Sequence, residues 1–126
     1  THDGIVFMDK KNAQQLFNHA KALETSHGDE AIALKLRQMF INNLSNELEQ
    51  AVNLWRTKSI EDLQSHLHHV LGGAQVCAAE SLIDYINQVK QELNREAFDI
   101  DRINNLWLQL EEIKSAMLAL KHSTDN

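Results

Sequence analysis

Apolar residues recur at intervals of three and four along most of this chain, and the recurrence falls into five stretches separated by short polar breaks. That period is the mark of an α-helix with one buried stripe. Residues 1–8 have no such period. Their cluster Ile5, Val6, Phe7 and Met8 reads as an extended lead-in, with Asp9 placed to cap the first helix. That helix is short and is predicted over 10–23 from Ala13, Leu16, Phe17, Ala20 and Leu23, and Ser26, His27 and Gly28 break it. Asp29 then caps a long second helix over 30–57, whose inner face is read as Ile32, Leu36, Met39, Phe40, Leu44, Leu48, Ala51 and Trp55. At 1.5 Å per residue it spans about 40 Å. Ser59 caps a third helix that extends to about Cys77, with Glu61 and Asp62 suited to its positive end. A fourth helix over about 79–95 turns Leu82, Ile86, Val89 and Leu93 inward. The fifth opens near Asp99 or Asp101 and carries Ile103, Leu106, Leu110, Ile113, Met117 and Leu120, with a frayed tail from Ser123 to Asn126.

Four long amphipathic helices on short turns bury their stripes most simply as an up-down-up-down antiparallel four-helix bundle, with the short first helix across one end. The expected fold is therefore all-α, one domain over 1–126. Composition agrees, since 126 residues without proline, with only four glycines and 43% hydrophobic residues, are enough for a helical core. The single cysteine excludes an intrachain disulfide, and Cys77 lies on the apolar stripe of the third helix as a small core residue. A formal charge of −6 argues against nucleic acid or an anionic membrane surface as a partner. No apolar run reaches the ~18 residues of a membrane span, and the N-terminus has no signal-peptide pattern. A cytoplasmic location is expected. Because the chain opens on Thr1, excision from a longer protein is expected, with processing of the N-terminus as the alternative.

The run Ser65-His66-Leu67-His68-His69-Val70-Leu71-Gly72-Gly73-Ala74 concentrates the candidate chemistry. Two successive glycines inside a helix each cost about 1 kcal/mol relative to alanine, so a reason other than helix stability is implied. The stripe Ile60, Leu63, Leu67, Val70, Ala74 and Cys77 faces the core. At about 100° per residue, His69 stands about 125° from its centre and is expected in solvent, with His66 and Gly73 on the same flank. Gly73 lies one turn after His69 and leaves bare backbone beside the imidazole, which suits a phosphoryl carrier. A neutral imidazole is a competent nucleophile near neutral pH without a dedicated base.

His69-Val70-Leu71-Gly72-Gly73-Ala74, followed by Leu82 and Gln91, resembles the histidine-containing phosphotransfer (HPt) domain, in particular the C-terminal module of bacterial tripartite hybrid sensor kinases. The resemblance covers the second to fifth helices. It implies that His69 accepts a phosphoryl group from a receiver-domain aspartate of a hybrid sensor kinase and passes it to the aspartate of a response regulator. It further implies that Gly73 keeps the surface open, that Gln91 reaches across to the phosphohistidine, and that Mg²⁺ is supplied by the receiver, so the chain needs no cofactor of its own. A monomer is the simplest state. Where the family commonly has lysine, three residues after the histidine, this chain has Gly72, and the family's later glycine is matched by Ala79. No glycine-rich nucleotide loop is present, so phosphate would be relayed and not taken from ATP.

Duller roles stand beside these. His68 is a bystander, His66 a partly buried neighbour that helps orient the site, Gly72 an aid to close helix packing, and Trp55 and Trp107 core or core-edge residues. Two other functions compete: a binding-only bundle, and a metal site built on His66 and His69, although the paired Glu-x-x-His elements of a di-iron bundle are missing.

Overall fold

The computed structural model describes residues 16–124. The lead-in over 1–8, the Asp9 cap, Ala13, and Asp125 and Asn126 at the tail lie outside the described residues. Five α-helices lie wholly within the described residues, which hold no strand: α1 (His19–Thr25), α2 (Glu30–Arg56), α3 (Ile60–Val76), α4 (Glu80–Leu93) and α5 (Ile100–Thr124).

The predicted helix over 10–23 is corrected within its described part. Leu16 is helical, but Phe17 and Asn18 are not, and α1 starts anew at His19. Asn18 adopts an extended conformation, and its side-chain oxygen accepts from the Lys21 N–H at 3.2 Å. Its own N–H donates to the Ala78 carbonyl at 2.8 Å and its Nδ2 to Glu80 at 3.3 Å, which ties α1 to the turn between α3 and α4. A good N-cap residue with tertiary partners thus overrides the local helical pattern. The break after α1 falls where expected, with His27 and Gly28 both at positive φ.

The second helix begins where the sequence predicts, with the Asp29 carboxylate accepting from the Ile32 N–H at 3.1 Å. Its inner face is different. The residues it buries are Ala33, Ile41, Leu44, Leu48, Ala51 and Trp55. Ile32 and Met39 are 48% and 50% exposed, and Leu36 and Phe40 are half-buried. Two overlapping stripes run along the N-terminal half of α2, and the core takes the one through Ala33 and Ile41. Ser59 sits at the start of α3 but makes no cap hydrogen bond, because its hydroxyl pairs with that of Thr57 at 2.9 Å.

The remaining stripes are buried as predicted except at Ile60, Ile113 and Leu120, which are half-buried against the edge of the core. Leu63, Leu67, Val70, Ala74 and Cys77 of the third stretch, Leu82, Ile86, Val89 and Leu93 of α4, and Ile103, Leu106, Leu110 and Met117 of α5 join one core cluster with Leu44, Leu48 and Trp55. Asp99 caps α5 by accepting from the Arg102 N–H at 3.2 Å. That helix continues through Ser123 and Thr124, where the sequence predicts fraying. Helix α2 packs on α3 and α5, α4 packs on α3 and α5, and α1 lies against α2. Trp55 is buried and donates to Asn104 at 3.0 Å across the α2–α5 contact, while Trp107 is half-buried. Among the described residues no helix is long and apolar enough to cross a membrane.

Candidate functional site

The buried stripe of α3 fixes what its other face presents. Because Leu67, Val70 and Ala74 point into the core, His69 projects outward from the middle of a well-anchored helix, with its side chain 75% exposed. His66, one turn earlier, is turned toward α2 and only 12% exposed. Its Nε2 donates to the Glu47 main-chain carbonyl at 2.8 Å, which requires the proton on that nitrogen. The two imidazoles lie 6.4 Å apart between centroids. His68 is exposed on the far flank.

Glu47 is the residue that sequence reasoning missed. Its carboxylate Oε2 lies 3.6 Å from His66 Nε2 and 3.9 Å from His69 Nε2, ion-pair separations beyond hydrogen-bond reach. This oxygen is buried and has no hydrogen-bond partner. The available signal was its place three residues after Leu44 and four before Ala51, on the margin of the buried stripe, where a carboxylate is out of character. What the sequence lacked was the register that sets residue 47 against the histidine run.

Beside His69 a cleft of about 310 Å³ opens between α2 and α3. Leu36, Met39 and Phe40 form one wall, and Val70, Gly73 and Val76 the other. Asn43, Glu47 and His69 make its polar end. Three of the four apolar residues of α2 that periodicity assigns to the core and the fold does not bury, Leu36, Met39 and Phe40, therefore build this surface, and Ile32 lies outside it. Gly73 is exposed, as expected for an open site, and it has a second use. A Cβ there would stand 3.3 and 3.4 Å from the Phe40 ring, so the missing side chain lets that ring lie against the α3 backbone. Gly72 corrects the packing expectation, since a Cβ at that position would meet nothing within 4 Å. With no lysine at residue 72, the charged group paired with His69 is the carboxylate of Glu47.

Gln91 is exposed on α4, and the cleft takes its walls from α2 and α3. Its neighbour Lys90 accepts, through its carbonyl, from Gln64 at 3.3 Å, which places this end of α4 beside the first turns of α3 rather than beside His69. The structure thus brings together His69, His66 and Gly73, and adds Glu47 and Phe40, without Gln91.

A metal site on His66 and His69 is not supported. Among the described residues no group of three metal-ligating side chains is assembled, and the Nε2 of His66 is spent on a main-chain carbonyl. Cys77 is a core residue, in line with its place on the stripe. Burial pushes its thiol up to about 11, and its Sγ lies over the Gly73 and Ala74 carbonyls. No known protein family, curated protein or solved structure matches the chain.

Proposed function

We propose that this chain is a phosphorelay module in which His69 takes a phosphoryl group from an aspartyl phosphate of one receiver domain and gives it to the aspartate of another. The observation that carries this reading is the exposed imidazole of His69, mounted at mid-helix and set at the polar end of an open apolar cleft. In the forward step a ring nitrogen lone pair attacks phosphorus, the P–O bond to the aspartyl oxygen breaks, and that oxygen leaves as carboxylate. The reverse step returns the group to a second carboxylate. The chemistry needs little from the carrier, because the receiver supplies Mg²⁺ and the cationic groups that neutralise the phosphoryl oxygens.

Exposed Met39 and Val76, with half-buried Leu36 and Phe40, form a greasy surface beside the imidazole. Apolar ground of this kind, edged by polar groups, suits a small and short-lived protein contact. The fold reading is in keeping. Glu47 meets His66 while Phe40 meets Gly73, contacts in keeping with α2 and α3 running oppositely, and short turns join α3 to α4 and α4 to α5. An up-down-up-down four-helix arrangement of α2 to α5, with α1 as an addition, is the simplest reading of these contacts. A cytoplasmic setting belongs to the same proposal, since receiver domains work there.

The test is to mix the purified chain with prephosphorylated receiver domains and Mg²⁺, and to follow acid-labile, base-stable label. Label on the wild type and none on a folded His69→Gln variant is the expected result. Label retained by His69→Gln would move the site to another histidine, and no label from any receiver would favour a module that only binds.

A further inference from the structure

The cleft between α2 and α3 has one polar end, and that end is rich in acceptors and poor in donors. Glu47 Oε2 is buried without a hydrogen-bond partner, a costly state for a carboxylate oxygen. His66 gives its Nε2–H to the Glu47 main-chain carbonyl at 2.8 Å. Nε2 of His69 stands 3.9 Å from Oε2, beyond hydrogen-bond reach. Asn43 donates its amide to the Met39 carbonyl at 3.0 Å and keeps its oxygen as an acceptor. No lysine or arginine is among the residues that line the cleft. Its walls, from Leu36, Met39 and Phe40 to Val70 and Val76, are apolar.

We infer that this cleft binds a small amphipathic cation, an aryl- or alkylammonium whose apolar body lies between α2 and α3 and whose ammonium donates to the carboxylate of Glu47. A volume of about 310 Å³ falls at the small end of the range for ligand pockets, roughly 300–1,000 Å³, and suits one such molecule. The body takes Met39 and Val76, 50% and 40% exposed, out of water. It also shields the polar end, which strengthens a charge-assisted hydrogen bond made there. The ring of His69, with its side chain 75% exposed, is the movable part of the cover over Oε2. A neutral molecule of the same shape keeps the apolar gain and loses the ionic one. An anion meets Glu47 with no cationic side chain in the cleft to offset it. A bound cation stands beside His69, so it competes with receiver domains for that face. This competition rests on the relay reading above; the binding does not.

The experiment titrates ¹⁵N-labelled protein with phenethylammonium, phenethyl alcohol and phenylacetate at about pH 8, where imidazoles are neutral and the amine is charged. The amine should bind with a Kd in the millimolar range ordinary for so small a ligand. It should move the amide signals of Gly73 and Val76 and the side-chain amide of Asn43, and leave Leu108 and Glu112 on the outer face of α5 in place. The alcohol should bind about tenfold more weakly, the worth of a hydrogen bond to a charged group, and phenylacetate more weakly still. Glu47→Gln should bring the amine to the level of the alcohol. Equal binding of amine and alcohol by the wild type, shifts centred away from the cleft, or no shift with the amine at about 20 mM, well above a millimolar Kd, would each overturn the inference. Because selectivity among the three ligands is read on the wild type, a variant that fails to fold leaves the decision intact. Saturating amine should also slow label uptake at His69, and unchanged uptake would overturn the competition. If no receiver labels the protein, the relay reading fails while the titration still decides the site.

Discussion

The ring of Phe40 lies where the side chain of Gly73 would begin, 3.3 Å from the Cβ that residue 73 lacks. A glycine one turn after His69 therefore opens the surface and seats an aromatic ring from α2 against α3. Gly72 has no such neighbour. Gly72→Ala should raise stability by about 1 kcal/mol, the full helix-propensity gain, because nothing opposes it. Gly73→Ala should gain less, since the ring must give by a few tenths of an ångström, although its position on an open cleft lets it do so. Urea midpoints of the two variants measured side by side check the difference. Equal gains would mean that Phe40 does not rest on residue 73.

The cleft makes a separate claim on Met39. Half of this residue is in solvent, so Met39→Glu should leave the unfolding free energy within about 0.5 kcal/mol of the wild type, as for surface substitutions in general. If receivers dock on the cleft, the same change should raise the receiver concentration needed for half-maximal uptake at His69 while leaving the saturated rate nearly unchanged. A variant whose saturation curve overlays that of the wild type would move docking off this surface.

Cys77 offers a probe of the core that needs no partner. With its thiol pushed up to about 11 by burial, it is overwhelmingly protonated at pH 8 and screened from reagents. A thiol-reactive dye should label the folded protein at the rate of its unfolding and the denatured protein at once. Prompt labelling of the native chain would show the α3–α4 turn opening locally, since Cys77 is the C-cap residue of α3.

How far the molecule is legible from its sequence is clearest on α2 and α3. The stripe of α3 has a single solution: Leu67, Val70 and Ala74 can face the core only if His69 faces out. Exposure of His69 and Gly73 comes from periodicity alone. The N-terminal half of α2 has two solutions, because apolar residues occupy 32, 33, 36, 39, 40 and 41, and periodicity gives no reason to prefer either stripe. Burial selects Ala33 and Ile41, leaving Ile32 and Met39 to the surface. Glu47 is hidden for another reason. Its role depends on which residue of α3 stands opposite, a tertiary register that no local pattern encodes. Asn18 escapes a local reading because its capping is secured by Ala78 and Glu80, some sixty residues away in sequence.

The α4–α5 turn supplies a pH dependence with a definite sign. Glu92 is buried, accepts from the Asp99 N–H at 2.9 Å, and pairs with Arg95 Nη1 at 3.0 Å and Arg102 Nε at 3.3 Å. The Asp99 N–H first, then the two guanidinium groups, hold its carboxyl below the usual 4.5. A native value below the unfolded one means that the unfolded chain binds more protons as the medium acidifies. The stabilisation is therefore complete above pH 4.5 and is lost as pH falls from there through the native value. Glu92→Gln cannot carry the charge at any pH. Its melting temperature should lie below that of the wild type at pH 6, and the gap should narrow steadily below pH 4.5. A gap that stays constant down to pH 3 would show that Glu92 acts through packing and the Asp99 hydrogen bond and not through its charge.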